Sequence, residues 1–207
     1  MFRNTKKDSP VTSSMMTQTQ QELLEKLETN LETGLTTDQA SQRREQDGAF
    51  NVVRPPVDCP AWLCILLPCI RHIPSMKAFS AIRPDDAEVL RNSKWVRYDC
   101  SSLVKGDVVR IEEGDFVPGD CVVLNVSSEE ELLVDLRSIT GEENLRSISS
   151  DKMTTLYFGG MVVQGSATAV VTAIGPNTLL ANLIREKRFP PKEPILEAQD
   201  EYNLSIV

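Results

Sequence analysis

From Ala81 to Gly175 the apolar residues recur with a period of two, in short runs rich in Val, Ile, Leu and Thr. Successive side chains of a strand point to opposite faces, so this pattern commits the middle of the chain to a half-buried sheet. "EVLRNSKWVRYD" reads as a hairpin that turns at Asn92 and Ser93. "DVVRI", "CVVLNV", "ELLVDL", "TTLYFGG", "MVVQG" and "TAVVTAI" follow, separated by turn residues such as "KGD", "EEGD" and "GPN". Short strands at regular spacing predict a mainly β domain, a distorted β-sandwich or barrel, with flanking helices.

The helices lie on either side of it. "TQQELLEKLETNLE" (19–32) places Leu23, Leu24, Leu27 and Leu31 at helical spacing, an amphipathic helix of about four turns. Gly34 ends it, and a second helix follows. Thr36 and Gln39 make its capping box and Gly48 its C-terminal stop. Together these form a helical hairpin, residues 19–53, expected to pack on something larger. After the strands, Asn177 is the expected cap of a last helix, "NTLLANLIREKR", with a cationic end that suits the helix dipole.

Residues 54–80 break both periods. "RPPVDCPAWLCILLPCIRHIPSMKAFS" is dense in proline and cysteine, and its apolar core runs only from Ala61 to Ile70. A spanning helix needs roughly twenty apolar residues, and Pro68 would interrupt one here. The segment is expected to be an apolar connector and not a transmembrane helix. Cys59, Cys64 and Cys69 are candidates for reversible acylation beside a membrane. Residues 1–18 and 189–207 read as a disordered and a loose tail, leaving 81–188 as the β domain with its C-terminal helix.

Composition removes several function classes. A net charge of −8 with scattered basic residues argues against nucleic acid as a partner. The first twenty residues lack the apolar core of a signal peptide, so the expected location is cytoplasmic, peripheral to a membrane at most. Five cysteines in that setting are expected to be free thiols. There is no C-x-x-C, and His72 is the single histidine, a surface or interfacial residue by expectation. Zinc needs about four ligands, so neither a metal nor another cofactor is expected.

Three motifs in order give the fold a family resemblance. "LVKGDVVRIEEGDFVPGDCVVL" (103–124), "SITGEE" (138–143) and "GGMVVQGSATAVVTAIGPNT" (159–178) closely resemble the actuator domain of P-type cation-transporting ATPases. Gly106, Asp107, Gly114, Asp115, Pro118, Asp120, Thr140, Gly141, Glu142, Gly175 and Thr178 all fall on the family pattern. Upstream, "GLTTDQASQRREQDGAFNVV" resembles the N-terminal helical segment of type II and type III pumps. The likeness covers residues 20–187.

The resemblance implies a role for one carboxylate. In the pumps the T-G-E glutamate swings onto a phosphorylated aspartate of another domain and positions the water that hydrolyses the acyl phosphate. A carboxylate can orient such a water and draw off its proton. Glu142 is therefore the candidate catalytic residue, with Thr140 and Gly141 shaping its loop. The partner implied is a P-type ATPase or its phosphorylated domain.

The chain also departs from the pattern. Leu136 and Arg137 replace an acidic or amide residue and a serine. Glu143 stands where serine is usual, and Leu145 where proline is. Adjacent carboxylates at Glu142 and Glu143 disfavour a phosphate between them, and Arg137 and Arg146 offset that charge. "DKMTT" (151–155) has a superficial likeness to the D-K-T-G-T phosphorylation motif, but Met153 and Thr154 replace its Thr and Gly. With no phosphorylation or nucleotide domain in these residues, the chain alone is not expected to hydrolyse ATP or move ions. Four functions follow: a regulatory module docking on a pump, a non-catalytic scaffold, an acyl-phosphate hydrolase acting in trans, or a partial copy of a pump.

Overall fold

The computed structural model describes residues 17–48, 50–58, 72–82, 84–127, 131–149, 154–192 and 195. Its helices are α1 (Gln18–Lys26), α2 (Thr37–Asp47), α3 (Pro74–Ala81), the single turn α4 (Arg137–Thr140) and α5 (Leu179–Arg185). The strands are β1 (Asp86–Arg91), β2 (Lys94–Asp99), β3 (Val108–Glu112), β4 (Asp120–Val126) and β5 (Leu132–Asp135). They continue with β6 (Arg146–Ile148), β7 (Thr155–Leu156), β8 (Met161–Gln164) and β9 (Ser166–Ala173). A six-stranded sheet runs β2-β1-β3-β9-β4-β7 and a three-stranded sheet runs β6-β5-β8. Every strand pair in both is antiparallel.

The alternation predicted from sequence explains where the core sits. Val109, Ile111, Val123 and Val171 of the large sheet join Leu132, Val134, Ile148 and Val162 of the small one in a single apolar cluster. The next residues along the same strands, Val122, Leu124 and Val170, face the other way and pack with Leu23, Leu24 and Leu27. The larger body expected beneath the N-terminal helices is thus the outer face of the six-stranded sheet. Gln20, almost wholly buried, fixes α1 there by donating to the carbonyls of Val123 and Leu124 at 3.3 and 3.2 Å. The arginine pair braces the other helix: Arg43 donates to the carbonyls of Leu27 and Lys105, and Arg44 to that of Ser102.

Several local expectations hold. The capping box of Thr36 and Gln39 is complete, and Gly48 closes α2 in the left-handed conformation at φ 60°. The β1–β2 hairpin turns at Asn92 and Ser93, both with positive φ, as an I′-type turn requires. His72 is exposed.

Others need correction. The first helix is shorter than its leucine spacing suggests, because Glu28 adopts a left-handed φ of 48° and the Thr29 N–H folds back to the Leu24 carbonyl. Beyond the helix end the Asn30 side chain accepts from the N–H groups of Glu32 and Thr33, which puts Leu31 inside a turn and not on the helix. The last helix is capped by Thr178, whose hydroxyl accepts from the Ala181 N–H, and not by Asn177, which lies in the short helical turn Gly175–Asn177. Helix α3 arises inside the stretch read as connector, with Pro74 in its first turn, where the missing N–H costs nothing. The acylation candidates Cys59, Cys64 and Cys69 lie outside the described residues, as do Asp151 to Met153. Among the described residues no helix is long and apolar enough to cross a membrane.

Candidate functional site

The T-G-E sequence leaves the small sheet at the end of β5. Asp135 accepts from the Arg137 N–H at 2.9 Å, which starts the one-turn helix α4. Leu136, Ile139 and Thr140 are buried, so this turn is anchored in the core. Gly141 ends it at φ 76°, in the left-handed region that a residue with a Cβ adopts at a cost, and its N–H bonds the Arg137 carbonyl at 3.1 Å. The carbonyl of Thr140 accepts from the Ile195 N–H at 2.8 Å, tying the segment after α5 to the same place.

Glu142 therefore projects from a rigid base, yet its carboxylate is not free. Arg146, the first residue of β6, grips it with two nitrogens: Nε donates to Oε2 at 3.1 Å, and Nη2 donates to Oε1. The Thr140 hydroxyl, with one proton to give, lies 2.9 Å from Oε1 and 3.2 Å from the Leu136 carbonyl. The side chains of Glu142 and Arg146 are only 18% and 12% exposed, which places this pair between the surface and the core. Shielded charge-assisted bonds of this fork geometry contribute about 1.5–3 kcal/mol, well beyond an exposed ion pair.

Arg146 is itself held from behind. Its Nη1 donates to the Thr155 carbonyl at 3.3 Å, and its guanidinium carbon sits 5.7 Å from the centroid of the buried Tyr157 ring. Burial pushes the Tyr157 phenol up from its ordinary value, and the Arg146 charge opposes that shift. Glu143, in contrast, points to solvent, and its carbonyl accepts from Arg137 Nη2 at 3.0 Å. Leu145 is also exposed. The two arginines expected to balance the acidic tip thus divide the work: Arg146 binds the Glu142 side chain and Arg137 the backbone beside it. Spacing alone carried a signal for the first pair, an acid and a base four residues apart. Its meaning depended on a strand beginning at Arg146, and "RSI" is too short and polar to announce one.

The other motif residues serve the fold. Asp107, fully buried, receives Nε and Nη2 of Arg91 at 2.9 and 2.5 Å and the Val104 N–H at 2.8 Å. Asp120, also fully buried, accepts from the N–H groups of Phe158 and Leu179 at 2.8 and 2.7 Å, joining β4 to the start of α5. Asp115 closes the turn after β3 through the Glu112 N–H. At Gly106 a Cβ would come within 2.0 Å of Arg43, so the glycine admits the N-terminal helices to the sheet. Asn51 links the two regions again, donating to the Cys100 and Pro118 carbonyls and accepting from the Gly175 N–H.

Residues 81–187 match the family model of the P-type ATPase actuator domain, and residues 16–68 match that of the cation transporter/ATPase N-terminus. An endoplasmic reticulum calcium ATPase of Aspergillus fumigatus is 32% identical over 124 residues, covering 55% of this chain and 12% of the relative. The human plasma membrane calcium-transporting ATPase 3 is 36% identical over 90 residues, 44% of this chain and 7% of that protein. A sodium/potassium-transporting ATPase alpha subunit of Hydra vulgaris is 31% identical over 116 residues, 52% and 11% of the respective chains. Among solved structures, a zinc-transporting PIB-type ATPase in its E2.Pi state aligns with a TM-score of 0.45 and 21% identity, covering 63% of this chain and 21% of that one. The chain therefore spans only about a tenth of the length of the curated relatives it matches. The actuator match covers more than half of the 207 residues, and by it the chain belongs to the P-type ATPase actuator domain family.

Proposed function

We propose that the protein is an actuator module that docks on a P-type cation pump and presents Glu142 to an aspartyl phosphate. The observation that carries this reading is the placement of Glu142 immediately after the left-handed Gly141, on a turn anchored by buried Ile139 and Thr140. Such a base sets a carboxylate against another domain's surface with little entropy left to lose on docking. The step has one balanced form. A water oxygen attacks phosphorus, its proton passes to the Glu142 carboxylate, and the bond from phosphorus to the aspartyl oxygen breaks. Inorganic phosphate and a free aspartate carboxylate result.

Association is the first thing to test. Co-precipitation of the full chain with a membrane cation pump, weakened by Glu142→Gln, is the expected result. Failure to recover any pump under native conditions contradicts the reading. In cells the same reading puts the module on the cytoplasmic side, at the membrane surface. Cys59, Cys64 and Cys69 are then acyl attachment points, and hydroxylamine treatment should release the chain to the soluble fraction.

A second reading, a non-catalytic scaffold, is favoured by the Arg146 pair, which occupies both oxygens of the carboxylate the chemistry would use. Under it, Glu142→Gln leaves docking and every cellular phenotype unchanged.

A further inference from the structure

We propose that Arg146 is a gate on the tip: its guanidinium edge holds either the Glu142 carboxylate or a phosphoryl group, and Glu142 is available to water only in the second state. This deepens the reading above and rests on it for its biological setting, although the exchange itself is a property of this chain alone.

Two observations and one chemical argument carry the inference. Nε and Nη2, the edge of the fork that suits two oxygens of one anion, both point at Glu142. A phosphoryl group also offers a pair of oxygens that the fork can bind, with more negative charge, so it competes for that edge with stronger attraction. The guanidinium cannot follow the carboxylate away, because Nη1 is bonded to the Thr155 carbonyl and the group lies against the Tyr157 ring. A released Glu142 would leave behind a positioned cation, already desolvated on one side.

Arg146 also resolves the charge problem at the tip. Glu142 and Glu143 together would repel a phosphate, but Glu143 faces solvent and Arg146 stands between Glu142 and the core. Exchange of one anion for another at Arg146 keeps the half-buried cation paired throughout, which avoids the penalty of stranding it. As a positioning residue, Arg146 thus sets both when Glu142 is exposed and where the phosphorus lies relative to it.

The test uses the full chain with two readouts. The first is modification of carboxylates by a carbodiimide and glycine ethyl ester, located by mass spectrometry. Glu142 should be protected relative to the exposed Glu143, and Arg146→Gln should raise Glu142 labelling several-fold while leaving Glu143 unchanged. Arg146→Lys, which keeps the charge and loses the fork, should fall between them. Equal labelling of Glu142 in all three proteins overturns the gate.

The second readout is the Arg146 Nε–H signal in a nitrogen-15 NMR spectrum, titrated with acetyl phosphate, a small acyl phosphate. A saturable shift is expected in the wild type, with a several-fold lower Kd in Glu142→Gln, where the competing carboxylate is gone. No shift in either protein overturns the proposal without requiring any Arg146 variant to fold. Positive results here with no recovery of a pump would sink the docking reading and leave the gate standing. Pump recovery with negative results here would do the reverse.

Discussion

Breaking the Arg91–Asp107 pair should show that the actuator motif residues are mostly architecture. Asp107 is wholly inaccessible and Arg91 is 5% exposed, so neither charge has water to fall back on. Their contact is bidentate, Asp107 also accepts from the Val104 N–H, and Arg91 stacks 4.7 Å from the Tyr98 ring centroid. Removing one partner of such a pair costs about 3–5 kcal/mol, because the other charge is left buried and unmatched. Asp107→Leu should sit at the upper end, since it strands both a guanidinium and a backbone N–H. Arg91→Met should cost less, because the Val104 N–H still reaches the carboxylate.

The double variant replaces the pair by apolar groups and should recover to within about 1–2 kcal/mol of the wild type. Urea unfolding of all four proteins gives the cycle. For a chain of this size each kcal/mol moves Tm by about 2–4 °C, so the single variants should melt roughly 10 °C early. Single costs below about 1 kcal/mol, or costs that simply add in the double variant, would refute the reasoning.

Gly141→Ala forces a Cβ into a backbone with φ 76° and should cost about 1–2 kcal/mol in urea unfolding; an unchanged midpoint would mean that the turn relaxes freely. Asn51→Ala breaks three hydrogen bonds that tie the N-terminal segment to the β domain, so amide exchange in α2 should speed up relative to that in β9. Burial and the nearby aspartates push the Cys100 thiol up to about 12 from an ordinary 9.0. The folded state therefore keeps a proton that the unfolded chain loses, and this contribution is complete below pH 9 and fades as pH rises from there toward 12. Urea unfolding should show stability falling above pH 9, with a shallower fall in Cys100→Ala; an identical slope would contradict the assignment.

The sheet was legible because its signal is repetitive: "CVVLNV" and "TAVVTAI" could hardly be anything but strands, and Asn92-Ser93 could hardly avoid turning. Caps were legible where the chemistry is local, as at Thr36 and Gly48. The errors fall where a distant or competing group decides. Asn177 lost the last helix to Thr178 because the buried Asp120, more than fifty residues away, takes the first N–H of α5. The first helix stopped early because Glu28 turns left-handed and the Thr29 N–H folds back to the Leu24 carbonyl. Glu142 was nameable only by family resemblance, since an acidic turn by itself is usually solvated. Its capture by Arg146 depends on β6, β7 and Tyr157 arriving together, and no window of sequence contains that arrangement.

The central claim is that this chain can place Glu142 beside an acyl phosphate. The most direct measurement is release of radiolabelled phosphate from a phosphorylated calcium pump whose own T-G-E glutamate has been changed to glutamine, so that its aspartyl phosphate persists. Adding the wild-type chain should accelerate release, and Glu142→Gln should abolish the acceleration. An unchanged release rate with the wild-type chain bound to the pump would contradict it.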